Sequence, residues 1–313
     1  MLPVQITLTR CNPAEAELIF RLLPEDPSQT VELRGQLHGP HCLFSETIEI
    51  ALPIKSLPRT GELVRSQVFL PEPCTWSPTT PFLYSAHLEL WVNQERVTTV
   101  NRTIGIKEFI LHPRKGMKLN QQPLTFRGLM QRSAELDHDR MRKLGVNLVV
   151  VPVHDATLPV WSAGDRHGFF VLGEIDPEDD VGIWLAHETL SQHTSALGWL
   201  IPHETIRKPQ HWHNVVSLLH GIRPDLYLGL RYEEPAPDNL PGHVSFIMGY
   251  DVDMADLAAV HLPQLILCRR GKGWLDAEPN TATTQATTEP TAPVPATEMP
   301  VVIGSVLRQL AQA

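Results

Sequence analysis

Ser195-Ala196-Leu197-Gly198-Trp199-Leu200-Ile201-Pro202-His203-Glu204-Thr205 is the stretch on which the fold turns. Its middle, from Ala196 to Ile201, is short and almost wholly apolar. That length and composition suit a strand buried on both faces, as in a parallel sheet covered by helices. Pro202 stops the strand, and Glu204 falls just past its C-terminal end. In a barrel of alternating strands and helices the C-terminal strand ends carry the chemistry. Glu204 is therefore the first candidate catalytic residue.

Moving outward, the same pattern repeats. Strand-like apolar runs cover 124–130, 147–153, 169–175, 196–202, 226–232, 243–249 and 264–269. Helical stretches lie between them at 135–144, 158–167, 183–193 and 209–220, the first with Gly145 as its stop. Alternation of this kind predicts a parallel sheet, here over residues 111–278. Seven strands are clear, and Val301-Val302-Ile303 is a candidate eighth. Residues 279–299 are Thr/Pro-rich with almost nothing to bury, and are expected to be a disordered loop. Residues 300–313 are apolar enough to dock back on the barrel as a strand or helix. From Leu124 to Glu278 there are about 155 residues, short of the roughly 250 usual for a complete barrel. A reduced barrel is expected.

Upstream, residues 1–110 follow a different period. Alternation of apolar and polar residues marks 4–8, 17–22, 31–34, 48–52 and 88–92, with Pro, Gly, Asn and Asp between. This predicts an antiparallel sandwich with one wet face per sheet. Three prolines at positions 73, 78 and 81 forbid regular structure there, and Trp76 and Tyr84 are large enough to anchor an extended crossing.

Composition narrows the function. The chain has 313 residues, 42% of them hydrophobic and 19% charged, with a formal net charge of −9. An acidic chain without a basic stripe does not suit nucleic acid or an anionic membrane surface as partner. No apolar run reaches the roughly 18 residues of a membrane span. The first residues lack the charged and apolar regions of a signal peptide, which makes a cytoplasmic location the expectation. Asn101-Arg102-Thr103 fits a glycosylation sequon and matters only in a secreted protein. Four cysteines form no CxxC pair, and His187-Glu188 followed by His193 is not metal-ligand spacing. No metal and no cofactor are expected. Nothing in the sequence speaks to oligomeric state.

An ordered set of motifs carries a resemblance. Trp76-Ser77-Pro78-Thr79-Thr80-Pro81-Phe82-Leu83-Tyr84 is followed by Gly105-Ile106-Lys107-Glu108-Phe109, and then by Leu119-Asn120, Pro123-Leu124 and Arg127-Gly128. In this order the set resembles glycoside hydrolase family 2, which includes β-galactosidases, β-glucuronidases and β-mannosidases. The resemblance covers most of residues 1–275 and implies an immunoglobulin-like β-sandwich followed by a reduced (β/α)8 TIM-type barrel. The family's N-terminal sugar-binding domain has no counterpart here.

Site residues follow from the resemblance position by position. Retaining glycosidases use two carboxylates about 5–5.5 Å apart, one as acid/base and one as nucleophile. The strand 4 match makes Glu204 the acid/base, with His203 where the family has the Asn that bonds a sugar hydroxyl. At strand 7 the family's nucleophilic Glu falls on Arg269, a permanent cation that cannot attack an anomeric carbon. Strand 2, ending in His154, has Val150 where the family usually has Arg. After strand 1, Ser133 and Ala134 replace an expected His and Glu. Strand 3 is well matched through Trp161, Asp165, Gly168 and Glu174. His203, Glu174, His154 and Trp274 are the candidate substrate contacts, Trp274 by stacking on a sugar ring.

The implied function is that of a family 2-like protein that has lost hydrolysis and serves in carbohydrate binding or protein interaction. The alternative is an active β-glycosidase with Glu204 as acid/base. That alternative needs a substitute nucleophile at a strand end, from Glu174, Glu233, Glu234, Asp251 or Asp253.

Overall fold

The computed structural model describes residues 4–24, 26, 29–59, 61–112, 116–202, 209–222, 226–232, 243–250, 262, 264–268 and 302–307. The chain divides into two compact units. The first is Met1–Glu108 with Asp165–Gly168, and the second is Phe109–Gly164 with Phe169–Ala313.

The first unit is antiparallel β-structure. Its strands are β1 (Gln5–Cys11), β2 (Glu15–Leu22), β3 (Val31–His41), β4 (Ile50–Ser56), β5 (Val64–Pro71), β6 (Leu83–Val92) and β7 (Glu95–Ile104). They pair in the order β1-β2-β5-β4-β3-β6-β7. β4 is the switch: Ile50 to Ile54 pair with β3, whereas Lys55 and Ser56 pair with β5. The two halves, β1-β2-β5-β4 and β3-β6-β7, fit the strand grouping of an immunoglobulin-like sandwich. Period-two alternation is clean in β2, where Ala16, Leu18, Phe20 and Leu22 are buried and their neighbours are not. These side chains share a core with Leu33, Leu37, Val68, Leu70, Ala86 and Leu88.

The proline-rich stretch before β6 is held by aromatic side chains. Trp76 is fully buried, and its backbone N–H donates to the Ile106 carbonyl at 2.7 Å. Its indole N–H donates to the Asp165 carbonyl at 2.9 Å, and the Lys107 ammonium lies 5.2 Å from its ring centre. The Cys74 N–H donates to Tyr84 Oη at 3.0 Å, and that hydroxyl donates to the Cys74 carbonyl at 3.4 Å. The two large side chains thus satisfy backbone groups that regular structure would otherwise pair.

The second unit is built on eight parallel strands that close into a barrel in sequence order. They are β11 (Phe126–Met130), β12 (Leu148–Pro152), β13 (Phe170–Glu174), β14 (Ala196–Pro202), β15 (Tyr227–Tyr232), β16 (Phe246–Tyr250), β17 (Gln264–Cys268) and β18 (Val302–Leu307). Closure comes from pairing of β18 with both β11 and β17. The candidate eighth strand at 301–303 is thus realised as β18. Ahead of the barrel, β8 (Phe109–His112), β9 (Gly116–Leu119) and β10 (Gln122–Leu124) form a separate antiparallel sheet.

Four helices are described: α1 (His138–Lys143), α2 (Leu158–His167), α3 (Asp180–Glu188) and α4 (Pro209–Ile222). α1 starts later than the sequence pattern suggests because Asp137 caps it, accepting from the Arg140 N–H. α3 ends before the predicted 193, and Leu190–Gln192 continue as a 3-10 turn. Among the described residues no helix lies between β15 and β18. No described helix is long and apolar enough to cross a membrane. The proposed disordered loop at 279–299 lies outside the described residues.

Alternate strand residues face opposite ways. Val149, Val151, Val171, Trp199, Ile201, Leu228 and Leu230 pack with helix residues Val160, Trp161, Ile183, Val215 and Leu219 in one cluster under the helices. The intervening Leu148, Val150, Phe170, Leu172, Leu200, Phe246 and Met248 are buried inside the barrel. Trp199 is 2% exposed and packs at 5.4 Å on Trp161, so it is a core residue and not a sugar platform. β14 carries a register shift at Gly198, whose φ is +154° and where a Cβ would meet the Tyr227 carbonyl oxygen at 1.8 Å. Only glycine fits there.

Candidate functional site at the barrel mouth

The barrel has two unlike ends. At the N-terminal end of the strands, Phe109 of β8 packs on Phe126, Phe170 and Tyr227 at ring distances of 6.3, 5.4 and 5.2 Å. The Tyr227 hydroxyl donates to the Phe109 carbonyl at 3.2 Å and accepts from the Leu111 N–H at 3.3 Å. A small apolar void remains between Phe109, Leu111, Met117, Phe126, Leu197, Tyr227 and Phe246. The β8–β10 sheet therefore closes this end.

At the C-terminal end, strand parity brings a different set inward. Pro152 pairs with Glu174, Glu174 with Leu200, Pro202 with Arg231 and Arg231 with Met248. Paired residues of parallel strands share a face, so Glu174 and Arg231 both point into the mouth. They are two strands apart, and long side chains bridge that gap. Arg231 Nη1 donates to Glu174 Oε1 in an ion pair. The Arg231 and Glu174 side chains are 24% and 20% exposed, so solvent reaches the pair. Below it lie Val150, Leu172, Leu200 and Met248, all fully buried. Val150, where the resemblance leads one to look for an Arg, is part of an apolar floor.

Among the described residues at the strand ends, Glu174 is the one carboxylate, and a guanidinium holds it. A second carboxylate near it would be needed for double-displacement hydrolysis. An Arg–Glu pair instead offers donors on one side and acceptors on the other, which suits hydroxyl groups of a polar ligand. No group of His, Cys, Asp and Glu able to hold a metal occurs among the described residues.

The sequence candidates divide as follows. Glu174 is in the mouth. His154 follows β12, but its side chain is exposed, and its backbone is tied to Thr157: the Thr157 hydroxyl donates to the His154 carbonyl at 2.8 Å. The structure brings Glu174 to Arg231 rather than to His154. Glu204, His203, Arg269 and Trp274 lie outside the described residues, as do Glu233, Glu234, Asp251 and Asp253. Sequence pattern alone does not single out Arg231. Its signal is a lone cation in Leu226-Tyr-Leu-Gly-Leu-Arg-Tyr232, in the same parity as Gly229.

The fold is thus an antiparallel sandwich followed by a closed parallel barrel whose mouth is polar. Residues 5–107 match the family model described as Glycosyl hydrolases family 2. Among solved structures the chain is similar to a glycosyl hydrolase family 2 member from Bacteroides cellulosilyticus, with TM-score 0.66, 14% identity, and coverage of 97% of this chain and 43% of that one. It is also similar to Bacteroides uniformis β-glucuronidase, with TM-score 0.58, 17% identity and coverage of 85% and 40%. A third is Parabacteroides merdae β-glucuronidase, with TM-score 0.58, 13% identity and coverage of 85% and 40%. At these identities the likeness is one of fold, and the chain spans less than half the length of each. No curated protein matches the chain. The family match thus covers the sandwich, residues 5–107, and not the barrel.

Proposed function

We propose that this protein binds carbohydrate at the barrel mouth without hydrolysing it. In this reading residues 1–110 are the family's sandwich and residues 111–278, completed by 300–313, are a reduced (β/α)8 barrel of glycosidase type. Glu204 occupies the ancestral acid/base position, and Arg269 stands where the nucleophile would be. A guanidinium at that place removes the nucleophile and favours the ionised form of a nearby carboxylate, whereas a general acid must hold its proton.

The observation that carries this reading is the pairing of Glu174 with Arg231. Glu174 is the carboxylate best placed among the described strand ends to substitute for the missing nucleophile. It is held by a cation, and no other described strand ends in a carboxylate. Both members of the pair are solvent-accessible and present hydrogen-bonding groups over an apolar floor. Such a floor supports the carbon face of a sugar ring while the rim bonds its hydroxyls.

The test is a pair of measurements on the purified chain. Aryl β-glucuronide, β-galactoside and β-mannoside substrates should give no turnover, and Glu204→Gln should change nothing in that assay. Calorimetric titration with the corresponding free sugars should show binding that Arg231→Ala abolishes. Turnover lost in Glu204→Gln would establish the active glycosidase instead. Binding unaffected by Arg231→Ala would move the site away from the mouth.

A further inference from the structure

β7 ends the strand order of the sandwich, so one side of it has no described strand partner. It is ten residues long, Glu95-Arg-Val-Thr-Thr-Val-Asn-Arg-Thr-Ile104, with no Pro, Lys or Gly. Glu95 to Thr99 are all exposed, Val97 to 62%. Long, β-prone edges of this kind template further strands unless something blocks them.

Two charges on β7 are unspent. Arg102 sits opposite Ala86, between Val100 opposite Leu88 and Ile104 opposite Tyr84, so it faces the sandwich core. Its Nε is buried with no hydrogen-bond partner, and its Nη1 donates only to the Asn101 carbonyl at 3.1 Å. Burial lowers its pKa from the ordinary value, with no acid nearby to offset the loss of solvent. Glu95 is exposed and makes no ion pair among the described residues. The β6–β7 register skips Val97: Thr98 pairs with Leu90, Arg96 with Trp91 and Glu95 with Val92. That irregularity puts Glu95 on the core side, the same side as Arg102, and leaves Arg96 on the outer side with Glu89 at 3.2 Å.

We propose that two copies of this chain associate through β7, antiparallel and edge to edge, so that Arg102 of each copy meets Glu95 of the other. The two-fold axis passes at Thr99, which faces its own copy. Val100 then lies opposite Thr98. Past the irregularity at Val97, Asn101 lies opposite Arg96 and Arg102 opposite Glu95. The contact is isologous and self-complementary: each pairing occurs twice, and both unpaired charges are matched. It joins the β3-β6-β7 halves of two sandwiches into one sheet and removes the exposed edge. It does not depend on what the barrel mouth binds.

Sedimentation velocity of the full chain from about 1 to about 100 µM reads the association directly. The unmodified chain should dimerise. Glu95→Arg, at an exposed position that leaves the core untouched, should weaken the dimer at least about tenfold. Glu95→Arg combined with Arg102→Glu should restore it to within about threefold. Arg102 is partly buried, so a second measurement guards against a folding defect in that pair: Thr99→Cys under mild oxidation should give a covalent dimer bonded through the substituted positions. A monomer over the whole range would overturn the proposal. So would a dimer that Glu95→Arg leaves intact and Thr99→Cys does not cross-link.

Discussion

The closed end of the barrel and its mouth are made from the same eight strands, a few residues apart, yet they obey different rules. At the closed end Phe126, Phe170, Tyr227 and Phe246 stand at the starts of β11, β13, β15 and β16 and meet Phe109 from the preceding sheet. The contacts described there are between rings or satisfy a backbone group. At the mouth, four residues further along β13 and β15, the inward positions hold Glu174 and Arg231. The difference teaches where the fold resides. Burial of aromatic surface holds the barrel together from below, and the mouth contributes little to that, so its side chains are free to change. A barrel of this kind can therefore keep its closed end while the groups at its mouth change.

The largest expected effect breaks the closed end. Phe170 is fully buried and packs on both Phe109 and Phe126. Phe170→Ala should cost about 3–5 kcal/mol in urea unfolding, through lost transfer energy and a cavity the rings cannot fill. A cost under about 1 kcal/mol would mean that the aromatic cluster does not hold this end.

The mouth should respond more weakly. Glu174→Ala strands a guanidinium that is partly solvated, and should cost about 1–2 kcal/mol. A double-mutant cycle with Arg231→Ala should show a coupling of about 1 kcal/mol, with the double variant less destabilised than the sum of the single ones. Zero coupling would place the ion pair among surface pairs that contribute nothing, and the mouth would then owe its order to other contacts.

Legibility in the sequence follows the same divide. Apolar runs predicted at 147–153, 169–175 and 264–269 appear as β12, β13 and β17, because a strand buried on both faces must be apolar throughout. The sandwich strand β5 was not named from its pattern. Nor does pattern mark β7, which is exposed over five successive residues, so that period-two alternation is faint there. Size and proline context mark Trp76 and Tyr84 as anchors, and both satisfy backbone groups in the structure. The site was far less legible. Glu174 could be picked out as a carboxylate at a strand end, but Arg231 could not be paired with it. Their meeting depends on strand parity and on the Gly198 shift in β14, which lies between them. Sequence spacing carries neither.

The smallest effect at neutral pH concerns the sandwich, which offers a control on the closed end of the barrel. Tyr84 does for it what Tyr227 does for the barrel: a ring hydroxyl pairs one backbone N–H and one backbone carbonyl. Tyr84→Phe should cost about 1 kcal/mol at neutral pH, the usual worth of such hydrogen bonds. Its sharper signature is at alkaline pH. Burial, reinforced by the Cys74 side chain and opposed by the Cys74 backbone bond, pushes the Tyr84 phenol from 10.0 up to about 12. The folded chain thus holds this proton more tightly than the unfolded chain does. The stability it contributes is complete below pH 10 and is lost as pH rises from 10 through 12, because the unfolded state sheds its proton first. Urea titrations of the unmodified chain and of Tyr84→Phe at steps across that window should therefore show the advantage of the unmodified chain shrinking as pH rises above 10. Parallel curves across the window would mean that the Tyr84 proton is not held by the fold, and that the hydroxyl sits closer to solvent than its bonds to Cys74 imply.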